Sequence, residues 1–185
     1  MPLDDQQEDF DEPRRTNLRV SPTAALTWRA ARRLLLYARY QEGFRAGGLA
    51  LSPTGSVPAA QRFESDSLTS IEAGLRFGRR NVDSFTFDAA ISYASWSDIQ
   101  ADLIDTRGLP YTTNLGDGRV YGFELEASWR VAPALSFDVA AFLNDSALSS
   151  PNPEFVGAGV EDLPNIAKAG GRAAVHFRTQ LSPSL

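Results

Sequence analysis

The side chains with chemical potential in this chain are carboxylates and arginines set at even spacing. Glu124 and Glu126 flank Leu125, and Glu72 with Arg76, Asp138, and Arg172 with His176 and Arg178 fall at matching positions of other segments. Paired carboxylates can do general acid–base work when a nucleophile or substrate pocket lies beside them. Nothing in the sequence supplies one, because G-x-S-x-G, Walker and dinucleotide-binding fingerprints are all missing. The chain has no cysteine, which removes thiolate nucleophiles, thiolate metal sites and disulfides. His176 is the only histidine. A lone histidine on a polar face is more often solvated or hydrogen-bonded than a metal ligand. The reading is of a protein that is not an enzyme, with no catalytic, cofactor-binding or metal residues to assign, and with these charges forming a lattice along one surface.

The elements that must hold the lattice are strands. In residues 119–129, Tyr121, Phe123, Leu125, Ala127 and Trp129 alternate with Gly122, Glu124, Glu126 and Ser128. Successive strand side chains point to opposite faces, so one face is apolar and the other carries the carboxylates. The same period predicts strands over 18–29, 34–44, 67–77, 84–96 (extending toward 103), 135–143 and 168–178, seven in all with room for an eighth. Pro22 predicts a bulge or strand end. Short turns at 31–33, 79–83 and 131–134 alternate with long connections at 45–63, 104–118 and 144–164. Those connections are rich in Gly, Pro, Asn and Ser and read as loops, where ligand contacts would lie. No individual ligand-binding residue can be named among them.

Bulk properties narrow the class. At 185 residues, 43% hydrophobic and 22% charged, the chain can form one sizeable domain. Six acids and no base lie in residues 1–12, leaving 17 acids against 18 bases elsewhere. No clustered basic surface of the kind that binds nucleic acid is visible. Residues 1–17 read as an acidic loop or disordered segment, without the spacing and glycine of an EF-hand. Residues 18–178 form the strand domain and 179–185 a truncated end. No apolar run reaches the roughly 18 residues of a membrane helix. The acidic start lacks signal-peptide character. Set beside strands whose apolar faces suit a membrane, it implies that the true N-terminus is missing.

The fold class is therefore all-β, an antiparallel up-and-down meander, and the apolar face can meet one of two media. A soluble sandwich would turn it inward against a second sheet and would suit a binding module, for example for carbohydrate. A transmembrane barrel would turn it to lipid. Short turns on one side, long loops on the other and aromatics beside the turns (Trp28, Phe77, Phe85, Phe87, Trp129 and Phe177) favour the barrel. Seven strands do not close a bacterial barrel, so the chain reads as part of a larger one, with outer-membrane lipid as its solvent.

Five segments in order carry a family resemblance. Leu36-Tyr37-Ala38-Arg39-Tyr40-Gln41-Glu42-Gly43-Phe44-Arg45 with Gly47-Gly48 resembles the "YASYSEGFRPG" strand of TonB-dependent outer-membrane receptors. Phe63-Glu64, then Ser70-Ile71-Glu72-Ala73-Gly74-Leu75-Arg76, is similar to the family's next strand, with Ser65 and Asp66 where proline and glutamate are common. Tyr93-Ala94-Ser95-Trp96-Ser97-Asp98-Ile99-Gln100, Gly122-Phe123-Glu124-Leu125-Glu126 and Leu163-Pro164-Asn165 resemble three later ones, with Ala167 in place of a usual proline. The resemblance implies an internal piece of the C-terminal half of a barrel of about 22 strands with a plugged lumen. It further implies a plug domain and TonB as partners through the missing part of the chain. The implied function is energised uptake of scarce solutes in a bacterial outer membrane, ferric siderophores first, with cobalamin among the alternatives. Glu72, Glu124, Glu126 and Asp138 with Arg76, Arg172 and Arg178 would then be lumen charges facing the plug.

Overall fold

The computed structural model describes residues 18–52, 59–105, 107–152, 163 and 166–179. The expected acidic segment 1–17 and nearly all of 179–185 lie outside them. All regular structure among the described residues is strand. One seven-stranded sheet contains β1 (Thr23–Ala31), β2 (Leu34–Arg45), β5 (Asp66–Phe77), β6 (Phe85–Ser97), β9 (Gly116–Ala132), β10 (Leu135–Pro151) and β11 (Ala169–Phe177). Each neighbour pair is antiparallel and follows chain order once two small hairpins are set aside. This is the expected meander.

The hairpins correct the loop reading. β3 (Gly48–Ser52) pairs with β4 (Ala59–Phe63), and β7 (Gln100–Ile104) pairs with β8 (Pro110–Asn114). The described residues of 45–63 and 104–118 are thus largely strand, at the loop edge of the sheet, while 53–58 and 106 lie outside them. The fourth expected strand does not run on toward 103. Asp98 takes a left-handed φ of 53° and breaks β6 from β7. β9 and β10 are each 17 residues long and overrun the expected ends, so 144–151 is strand as well.

Register places every sequence-predicted apolar position on one face. Tyr40, Ile71, Tyr93 and Tyr121 form one cross-strand row, and Leu36, Leu75, Ala89, Leu125 and Ala141 another. No second sheet covers this face among the described residues: Ile71 is 53% exposed, Ile91 63%, Leu143 57% and Val175 63%. The apolar residues buried among those described are Ile99, Leu115 and Leu163, all at the loop edge. A soluble sandwich would invert that distribution, with its core between sheets.

Two aromatic lines bound the exposed apolar band. Phe77, Phe85, Trp129 and Phe137 lie toward the short turns, and Tyr40, Tyr93 and Tyr121 lie toward the loops. The sequence reading does not foresee the Tyr line. Its Tyr93 and Tyr121 rings stand 5.0 Å apart. From Trp129 to Tyr121 is about 26 Å along the strand, or about 20 Å across a membrane at a tilt of about 40°. Beyond the Tyr line the same face turns polar at once, with Thr69, Ser95 and Arg119.

Candidate functional site

The opposite face is concave. Tyr37, Arg76, Arg80, Asp88, Glu124, Glu126, Phe142 and Arg172 line a hollow of 620 Å³. They meet there because strand pairing brings even-spaced polar positions into register. Glu126 accepts from Arg80 Nη2 at 2.7 Å and pairs with Arg172 Nη2 at 3.4 Å, while Arg80 also reaches Asp88 at 3.3 Å. Arg39 donates to Glu72, its register partner, at 2.8 Å. Asp138 accepts from Ser128 Oγ at 2.5 Å and His176 Nε2 at 2.8 Å. The serine hydroxyl and the imidazole therefore both bind the carboxylate instead of each other, which is not a nucleophile–base arrangement.

The residues expected to form a lattice divide in the structure. Glu72, Glu126, Asp138 and Arg172 take part in the pairings above. Glu124 lines the hollow. The Arg76 guanidinium lies 5.4 Å from the Tyr37 ring centroid as a cation–π contact. Arg178 sits apart at the turn edge, where its amide donates to Ala134 O at 2.8 Å. The sequence reading does not single out Arg39, Arg80 or Tyr37. Pairing the two family-like segments in antiparallel register would have found Arg39. Gly74 faces Tyr37 across the strands, and a Cβ there would meet the ring at 2.6 Å. The glycine thus lets the ring lie flat on the backbone.

The second feature is a rim where the sheet meets the hairpins, centred on Asp66. Its residue is 1% exposed. The carboxylate accepts from Arg45 Nε at 2.8 Å, Arg45 N at 3.0 Å, Trp96 Nε1 at 2.9 Å and Gln100 N at 3.4 Å, and from Arg45 Nη2. Arg45 also stacks over Trp96, 5.3 Å from its centroid. Gln100 Nε2 donates onward to Ala46 O and Glu64 O. Asn114 joins Glu64 to Asp98, and Asn152 donates to Asn114 O. One carboxylate therefore ties β2, β5, β6 and the start of β7 together, and Gln100 and Asn114 carry the link on to Ala46 and Glu64, which flank the other hairpin. Burial opposes its charge, but the donors from Arg45, Trp96 and Gln100 outweigh burial and hold its pKa below the usual carboxylate value. Farther out, Asp105 caps the β7–β8 turn by accepting from the Leu109 and Arg107 amides at 2.8 and 2.9 Å, which lowers its pKa too.

Residues 3–183 match the model of the TonB-dependent receptor-like β-barrel. The chain belongs to that family. The TonB-dependent receptor segment is 31% identical over 123 residues to the pesticin receptors of Yersinia enterocolitica and Yersinia pestis. That match covers 63% of this chain and 18% of each relative, so the chain spans under a fifth of their length. Its fold is similar to the ferric yersiniabactin uptake receptor FyuA from Yersinia pestis, with TM-score 0.65 and 21% identity over 86% of this chain and 23% of that one. It is also similar to the copper transporter OprC, with TM-score 0.66 and 20% identity over 86% and 24%. The apolar convex face and polar concave face of the segment are those of a barrel wall.

Proposed function

We propose that this chain is wall and rim of an outer-membrane receptor that imports a chelated metal, a ferric siderophore first, with energy supplied through TonB. The observation that carries the reading is the two-faced sheet: an uncovered apolar band between aromatic lines, backed by a charge-lined concavity. A lipid-facing outside and a filled lumen require that combination. The short turns face the periplasm and the hairpins face the exterior. The concave charges Glu126, Arg172, Arg80 and Glu72 contact a plug domain carried elsewhere in the full-length protein. The rim hairpins, held by Asp66, present the ligand-contacting surface. The uptake receptor for ferric yersiniabactin among the similar folds supports a ferric chelate as cargo. One histidine and no cysteine in this stretch suit a metal delivered inside a chelator better than a naked soft ion.

The test is uptake of radiolabelled ferric siderophores by cells with and without the full-length gene, under iron limitation and with TonB depleted. Uptake that requires both the gene and TonB is expected. Equal uptake without the gene across a siderophore panel would contradict the cargo, and uptake indifferent to TonB would contradict the coupling.

A further inference from the structure

The turn edge of the sheet carries mostly positive charge. Arg32 and Arg33 join β1 to β2, Arg79 and Arg80 open the β5–β6 turn, and Arg130 follows Trp129 near the end of β9. Asp83 is the acid among them. At the loop edge, by contrast, acids and bases are mixed, as in Asp66 with Arg45 and Asp105 with Arg107.

Three of these arginines converge. Asp83 Oδ1 lies 3.3 Å from Arg33 Nη2, Asp83 Oδ2 lies 3.5 Å from Arg79 Nε, and Asp83 O accepts from Arg130 Nη2 at 3.4 Å. The Asp83 side chain is 7% exposed, while those of Arg33 and Arg79 are 60% and 64% exposed. Asp83 thus gathers three guanidinium groups, two on its sheltered carboxylate and one on its backbone carbonyl, and leaves their outer surfaces to solvent with a positive balance. The backbone fixes the arrangement: Gly78 N donates to Arg33 O at 2.8 Å, and Arg130 N donates to Ser84 O at 2.7 Å. Arg80 is not part of it, since it turns to Glu126 and Asp88 on the concave face.

The cluster adjoins the apolar band. Phe77 lies two residues from Arg79 and Trp129 one from Arg130, and Phe85 pairs with Trp129 in register and stands 6.2 Å from Phe77. A molecule with an anionic head and an apolar tail would meet both at once. Guanidinium groups match phosphate oxygens in geometry and are weakly hydrated, so they suit this role better than ammonium groups. We propose that Arg33 and Arg79 form a docking site for the phosphate of an anionic phospholipid in the leaflet that meets the short turns, with Arg130, which shares the concave-face parity of Glu126 and Ser128, holding the Asp83 backbone. The proposal rests on the membrane reading above. Charge complementarity and continuity with the lipid-facing band select a phospholipid over a free anion.

The test uses the full-length receptor in neutral detergent and native mass spectrometry with added phosphatidylglycerol or phosphatidylcholine. Expected is a preference for phosphatidylglycerol that falls about tenfold in R33Q/R79Q, from the attraction that each of the two basic residues exerts near an anionic surface, less what the neighbouring Asp83 carboxylate cancels. Wild-type preference should also weaken as salt rises, a readout that does not depend on the variant folding. Preference unchanged in the folded variant, or insensitive to salt in the wild type, would overturn the site. Displacement of the lipid by millimolar inorganic phosphate would overturn the choice of a phospholipid. Retained binding of phosphatidylcholine without a phosphatidylglycerol preference would overturn this inference alone, whereas failure to bind either lipid would count against the membrane reading itself.

Discussion

Replacing Asp66 by alanine should open the rim while leaving the wall intact. The substitution removes the acceptor for Arg45 Nε, Nη2 and N, for Trp96 Nε1 and for Gln100 N. The Arg45 side chain is 52% exposed, so its guanidinium regains water and contributes little to the loss. The Gln100 contact, at 3.4 Å, is weak. Two well-formed donors remain, the Trp96 indole and the Arg45 amide, at about 1–3 kcal/mol each when left without a partner. Water entering the opened rim recovers part of that, which leaves about 3 kcal/mol. Hydrogen exchange on the full-length receptor in detergent reads it directly. Amides around 45, 66 and 100 should exchange about a hundredfold faster, since each tenfold corresponds to about 1.4 kcal/mol. Those of β9 and β10 near the short turns should not change. Unaltered protection at the rim, or uniform loss along the strands, would refute the reasoning.

Two more outcomes are expected from the same geometry. The Asp66 pKa is depressed in the fold, so its stabilisation is present above the ordinary carboxylate value of about 4 and is lost as pH falls through the folded value. Rim protection should therefore hold from pH 7 to about pH 4 and decline below it, and Asp66→Asn should abolish that decline; a decline that persists in the variant would assign it elsewhere. Gly74→Val should cost about 1–3 kcal/mol by driving the Tyr37 ring off the backbone, and the cost should shrink in a Tyr37→Ala background, measured by urea unfolding in micelles. Additive costs would mean that the ring does not depend on the glycine.

The seven wall strands are legible in the sequence because each faces two different media, and that difference writes period two into Ile71 to Phe77 or Tyr121 to Trp129. The hairpins are not. Gly48-Leu49-Ala50-Leu51-Ser52 and Gln100-Ala101-Asp102-Leu103-Ile104 stand above the band, with no lipid on one side to impose alternation. Gly116 and Gly118 look like breakers in the sequence, yet Gly116 supplies a φ of 117° at the start of β9, and Gly118 leaves room for Ile99 and Leu163. The lattice is half legible for a related reason. Which face a charge occupies follows from its parity, but which partner it finds follows from register, and register is fixed by turns and by the neighbouring strand. Asp66 stands out in the sequence only as a departure from a family pattern. Its burial depends on Trp96 and Gln100, more than 25 residues away in the chain.

The most direct test of the barrel-wall account compares two adjacent alanines. Register puts Ala89 in the apolar convex row of Leu125, midway between the aromatic lines, and Ala90 in the concave row of Glu124. In the full-length receptor folded into micelles or bilayers, Ala89→Arg should cost about 2–4 kcal/mol, the penalty for arginine at the bilayer midplane, and Ala90→Arg should cost little. Equal costs, or a larger cost at Ala90, would contradict a lipid-facing convex wall.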